Sequence, residues 1–256
     1  MVENEGGGYQ SNNPIDYSLI TQERTAKLAL LTHLLSNSSQ PIVLCGSKGI
    51  GKSTLLTAFQ QRLDASWLAC CVQGRADISF DQLQKQIFAV YPATAPDNFF
   101  EQLTVLNEKL LLIIDDAGFL PPYLTTTIIN YAAQYPALKV LFVFSHDELA
   151  VKSCSDSAIE NCHIIEVLPL SEQQCGDFLQ HLIINAKLKI PLDSITDSMI
   201  ADVYQQSHGI PEKIIAQLPV LARPPKHRKT PWWLLILIFL AGTVWFTLKY
   251  ARNTFL

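Results

Sequence analysis

Well over half of this chain is without arginine: none stands between Arg75 and Arg223. That gap weighs against small-molecule kinases, which offset the charge developing during phosphoryl transfer with several guanidiniums. Lys152, Lys187, Lys189 and Lys213 lie within the gap, but an ammonium is a point charge without the bidentate fork of a guanidinium. Arg62 and Arg75 remain as the in-domain arginine candidates. Paired cysteine motifs are missing too. The six cysteines, at 45, 70, 71, 154, 162 and 175, form no C-x-x-C, so neither a disulfide framework nor a zinc ribbon is indicated. Cys45, Cys70 and Cys71 sit in apolar runs and are expected to be reduced and buried. Cys154, Cys162 and His163 lack a fourth ligand at a standard spacing, and no metal site is read there. Acidic residues are absent from Arg223 to the end, a stretch with six Lys and Arg, which leaves residues 1–222 with 13 basic against 23 acidic residues, a net charge of −10. Such a body is a poor partner for a phosphate backbone, and no nucleic-acid partner is expected. No internal repeat is present.

Residues 1–16, MVENEGGGYQSNNPID, are polar and glycine-rich and read as a disordered N-terminus. From Tyr17 to Leu35 apolar residues recur at helical spacing (Leu28, Leu31, Leu34, Leu35). Pro41–Cys45, Trp67–Val72, Leu110–Ile114, Val140–Phe144 and Ile164–Val167 are short apolar runs. Helical patterns begin at Ser53 and cover Phe80–Val90 and Tyr123–Tyr135. Continuous apolar strands alternating with helices imply an α/β fold, a three-layer parallel sheet covered on both faces, over residues 17–167. Residues 168–222 then read as helices only, a small lid. Ser171-Glu172-Gln173-Gln174 has capping-box spacing, Thr196 can cap a helix over Asp197–Ser207 that Gly209 ends, and Pro211 suits the first turn of the next.

Gly46-Ser47-Lys48-Gly49-Ile50-Gly51-Lys52-Ser53, followed by Thr54, matches the P-loop pattern at every fixed position, with an apolar strand before it and a helix after. In that pattern backbone N–H groups cradle phosphate, the lysine reaches the β- and γ-phosphates, and the hydroxyl ligates magnesium. The chemistry implied is binding of ATP with Mg2+. The run Leu110–Ile114 ends in Asp115-Asp116. Asp115 is placed to hold the metal, and Asp116 to polarise an attacking water from a side chain one methylene shorter than glutamate. Ser145, at the end of Val140–Phe144, is a candidate sensor of the γ-phosphate, while His146 and Asp147 are equally suited to opening the next turn.

After a basic linker at 223–230, Pro231–Leu248 (PWWLLILIFLAGTVWFTL) carries no charge over 18 residues. As a helix it would span roughly 27 Å, the thickness of a bilayer core. Trp232, Trp233, Trp245 and Tyr250 suit the two interfaces. The heavier basic flank precedes the run, so the expected arrangement is a single-pass anchor with the N-terminal domain cytoplasmic and residues 249–256 beyond the membrane. Its position rules out a signal peptide.

Gly46–Ser53, Leu110–Asp116, LFVFSHDEL (141–149), EVLPLSEQQCGDFLQHLI (166–183) and QQSHGIPEKI (205–214) occur in that order. Together they resemble the AAA-type ATPase domain of the ExeA/GspA secretion proteins and of related bacterial DamX cell-division proteins, over roughly residues 20–250. The resemblance implies a cytoplasmic ATPase domain, one inner-membrane helix, and protein partners in an envelope assembly for secretion, pilus biogenesis or septation, with homo-oligomerisation open. The periplasmic wall-binding region of those groups has no counterpart in this chain. Three positions depart from the pattern. Asp116 replaces a glutamate, Glu212 stands where a nucleotide-sensing arginine is common, and Glu160-Asn161-Cys162-His163 lacks the arginine common before the last strand. These departures imply slow hydrolysis or, in the alternative reading, a scaffold or adaptor that holds nucleotide without turnover.

Overall fold

The computed structural model describes residues 21–90, 99–185 and 195–221. The expected disordered N-terminus, basic linker, membrane span and tail lie outside these residues; among the described residues no helix is long and apolar enough to cross a membrane. The chain divides into a unit Met1–Leu218 and a unit Pro219–Leu256, and the architecture below is that of the first.

Five parallel strands form one sheet: β1 (Ile42–Cys45), β2 (Trp67–Gln73), β3 (Lys109–Asp115), β4 (Leu138–Phe144) and β5 (His163–Glu166), in the order β2-β3-β4-β1-β5. The chain leaves β1 for the far edge, returns through β3 to β4, then crosses to β5, so β1 lies at the switch in direction where open α/β sheets bind ligands. Side chains alternate across a strand, and here both faces are buried. Leu110, Leu112 and Ile114 of β3 enter one apolar cluster, with Phe142 and Phe144 of β4. Leu111 and Ile113 enter the other, with Leu44 and Val143. This explains why Leu110–Ile114 of β3 and Val140–Phe144 of β4 are unbroken apolar runs. The edge strand β2 alternates instead: Cys70 and Val72 are buried, Cys71 is exposed. The expectation that Cys71 is buried therefore fails, because an edge strand at this position has only one covered face.

One face carries α1 (Gln22–Asn37) and α2 (Lys52–Gln60) through Leu28, Leu31, Leu55 and Phe59. The other carries α3 (Phe80–Ala89), α4 (Phe99–Val105) and α5 (Leu124–Ala132) through Leu83, Ile87, Phe99, Leu103 and Ile128. Helix α1 starts at Gln22, later than its apolar spacing implied, because the Thr21 hydroxyl caps it by accepting the Arg24 N–H at 3.4 Å. Helix α4 escapes sequence reading at seven residues, and Phe99 and Phe100 secure it by edge-to-face contact with each other (5.1 Å, 90°) and with Phe88. His146 and Asp147 open a helix, α6 (His146–Ser155), rather than only a turn.

The helical segment comprises α7 (Glu172–Asn185), α8 (Asp197–Ser207) and α9 (Pro211–Leu221). The Ser171–Gln174 capping box forms as its spacing implied, with both bonds present at 2.9 and 3.2 Å. Thr196 caps α8, which ends in His208 and Gly209, both with positive φ. The Leu170 N–H donates to the Gly209 carbonyl at 2.9 Å, and a Cβ at Gly209 would overlap the Leu170 backbone. The entry to α7 and the entry to α9 are thus tied together.

Candidate nucleotide-binding site

Residues 46–51 leave β1 and enter α2, whose first residue is Lys52. Gly49 (φ 77°) and Gly51 (φ 96°) are left-handed, the curvature that turns successive N–H groups into one concavity. Gly51 is the N-cap of α2, so the helix adds its positive end there. Gly46 and Ile50 are buried, Ser47 and Gly49 half-buried, and Lys48, Ser53 and Thr54 exposed. Lys52 Nζ donates to the carbonyls of Gly46 (2.9 Å) and Ser47 (3.2 Å), folding over the loop that carries it. Burial pulls the Lys52 pKa down, opposed by the carboxylates of Glu148, Asp115 and Asp116.

Ser53 Oγ donates to Asp115 Oδ2 at 3.4 Å. Asp115 ends β3 and the loop after β1 leads to Ser53, and β4 lies between these strands, so this contact bridges the carboxyl ends of the sheet. The other Asp115 oxygen accepts the Asp116 N–H at 3.0 Å. Burial holds the Asp115 carboxyl above its ordinary pKa, against the lowering effect of the Asp116 amide. A hydroxyl and a carboxylate oxygen converging beside a phosphate loop fit Mg2+, a hard cation that takes one or two protein oxygens and fills its shell with phosphate and water. Among the described residues no group of three or more His, Cys, Asp or Glu could hold a metal.

Asp116 is left-handed (φ 50°, ψ 43°), and its Oδ2 accepts a 2.6 Å bond from Gln73 Nε2 at the end of β2. Next to it, the Gly74 N–H donates to the Asp115 carbonyl at 2.7 Å. Ser145 follows β4, the strand beside β1, and caps α6 in a reciprocal box. Its hydroxyl accepts the Glu148 N–H (3.3 Å), and Glu148 Oε2 accepts the Ser145 N–H (2.8 Å). The cap leaves the Ser145 O–H proton unused.

Three contributors escaped sequence reading. Glu148 packs against Gly118, just past the acidic pair, and acts on Lys52; its capping spacing after Ser145 was the available signal. Gln73 offered none. Arg24 Nη2 donates to the Ile50 carbonyl at 2.6 Å, and Nη1 lies where a Cβ on Gly51 would stand, 2.6 Å away. Burial lowers the Arg24 pKa, against the neighbouring Glu23. Its signal was position: Arg24 continues the buried stripe Leu28, Leu31 and Leu35 one turn earlier. The two arginines favoured from sequence lie elsewhere, Arg62 past the far end of α2 and Arg75 in an exposed pair with Asp77 (3.4 Å).

A profile of the AAA domain matches residues 38–175, more than half of the chain. The chain belongs to the AAA domain family. The AAA match takes in the P-loop, Asp115, Asp116 and Ser145 and leaves Arg24 and Glu212 outside it. Solved structures of similar fold include Cdc6p from Pyrobaculum aerophilum, 19% identical, with a TM-score of 0.54 over 81% of this chain and 65% of that one. The Aeropyrum pernix ORC2 protein in its ADP form is 16% identical, TM-score 0.57, over 82% and 64%. Drosophila ORC bound to DNA is 15% identical, TM-score 0.55, over 80% and 61%. The likeness is one of fold, and this AAA chain spans slightly less than two thirds of each of the three. No curated protein sequence is similar enough to count as a match. An AAA fold with this P-loop implies nucleotide binding.

Proposed function

We propose that the chain is a membrane-anchored AAA-type nucleotide switch that hydrolyses ATP slowly and serves a bacterial envelope assembly. The observation that carries the nucleotide chemistry is the Ser53–Asp115 contact across the sheet beside the Lys52 loop. Gly46–Thr54 would bind the phosphates. Ser53 and Asp115 would hold Mg2+, which when bound would neutralise phosphate charge. Asp116 would orient the attacking water, and Ser145 would donate to the terminal phosphate. A cavity of about 410 Å³ opens between Thr21 and Gln22 at the start of α1 and Ser171, Gln174, Asp177 and Phe178 of the α7 region. Its rim at Thr21 lies one helical turn before Arg24, and it would take the base. The anchor rests on the uncharged run 231–248; the process rests on the resemblance to ExeA/GspA and DamX proteins.

A second reading, a scaffold that holds nucleotide without turnover, draws on the Gln73–Asp116 bond, which engages one oxygen of the carboxylate needed for water. The full chain, purified in detergent, separates the two when assayed for ATP binding and hydrolysis beside Lys52→Ala and Asp116→Asn. Turnover that both changes abolish supports the switch. Binding that Lys52→Ala abolishes, with hydrolysis no faster than in Asp116→Asn, supports the scaffold. Failure of the wild-type chain to bind ATP refutes both.

A further inference from the structure

The first turn of α9 is firmly placed. Pro211 and Ile214 are buried, Ile210 packs against the α1–α2 cluster, and the Leu170–Gly209 bond fixes the approach. From that position the Glu212 N–H donates to the Gly49 carbonyl at 3.2 Å. The Glu212 side chain then lies along Gly49 itself. A Cβ at Gly49 would overlap the Glu212 carboxylate and stand 2.8 Å from the Glu212 Cβ. Among the described residues Glu212 makes no ion pair. An uncompensated carboxylate therefore rests at the rim of a concavity whose N–H groups, helix terminus and lysine are arranged for anions.

We propose that Glu212 sets the nucleotide affinity of this site and selects against phosphate charge, penalising a triphosphate more than a diphosphate. This rests on the nucleotide reading of the P-loop. A carboxylate and a phosphate a few ångströms apart repel, and each further phosphate adds charge. Because Glu212 is solvent-exposed, the repulsion is screened towards its value in water, so removing the charge should change affinity by roughly three- to tenfold rather than by orders of magnitude. The side chain also covers Gly49, one of the loop's left-handed glycines.

The test is the dissociation constants of ATP and ADP for the full-length chain, Glu212→Gln, Glu212→Ala and Lys52→Ala, at low and high salt. Expected is ATP binding about three- to tenfold tighter in both Glu212 variants, a smaller gain for ADP, and convergence with wild type as salt rises. The direction guards against misfolding, since a damaged protein does not bind more tightly. Equal gains for ATP and ADP, or no gain in either variant while Lys52→Ala abolishes wild-type binding, would overturn the proposal alone. If no protein binds ATP, or if Lys52→Ala binds like wild type, the P-loop reading fails and takes the proposal with it.

Discussion

Replacing Asp156 by alanine removes a carboxylate that is 0% exposed and serves two elements at once. It accepts the N–H groups of Tyr123 (3.2 Å) and Thr126 (3.0 Å) and the Ser155 hydroxyl (2.8 Å), and it faces Lys152 Nζ at 3.6 Å. Tyr123 is the N-cap position of α5 but caps nothing with its own side chain. Asp156 therefore supplies, from the end of α6, the acceptors that the first turn of α5 lacks. Lys152 is itself only 4% exposed and donates to the carbonyls of Leu120 and Pro121. Asp156→Ala leaves this ammonium and two amides without their anion, a loss of about 3–5 kcal/mol for a broken buried pair. For a domain of this size that lowers Tm by roughly 6–20 °C.

The pH dependence follows from the same contacts. Burial alone would raise the Asp156 pKa, but the Thr126 amide, the Ser155 hydroxyl, Lys152 and the Tyr123 amide outweigh it and hold the carboxyl below its ordinary value. A depressed folded-state pKa stabilises above the unfolded value, about 3.9, and that stability disappears as pH falls through the lower folded value. Denaturant melts of wild type and Asp156→Ala should thus differ fully at neutral pH and converge only below about pH 4. A neutral-pH difference under about 1 kcal/mol, or one that persists unchanged into acid, would refute the buried-pair argument.

Two further outcomes are expected. Arg24→Ala removes the charged donor to the Ile50 carbonyl, worth about 1.5–3 kcal/mol, and should weaken ATP binding by roughly tenfold or more; an unchanged dissociation constant would show that the loop keeps its shape unaided. Deleting residues 231–256 should move the protein from membranes to the soluble fraction, and an unaltered distribution after fractionation would rule out the anchor.

The nucleotide loop and strands β3 and β4 were legible because each is specified locally. The loop needs its glycines where φ is positive, and a strand covered on both faces is apolar through its middle. What stayed hidden depends on pairing between distant segments. Cys71 looked like its neighbour Cys70 until strand order placed β2 at an edge. Arg24 acquires its role only because its helix packs beside the loop. Gln73 acquires meaning only through β2–β3 register, which sets it opposite Asp115. Glu212 could be read as a departure from a pattern, but not as a group seated on Gly49, because 162 residues separate them.

The left-handed backbone at Asp116 bears on why a shorter acid stands there. Aspartate and asparagine tolerate φ near +50° because their side chains bond locally, whereas longer side chains meet a cost of about 1–2 kcal/mol. Position 116 has that geometry, with ψ 43° leading straight into the turn at Ala117–Phe119. A glutamate would gain the missing methylene of reach only by straining or remodelling this turn, which also aligns Gly118 against Glu148. Reach and backbone conformation are therefore traded against each other at this residue, and the turn as built accepts the shorter acid.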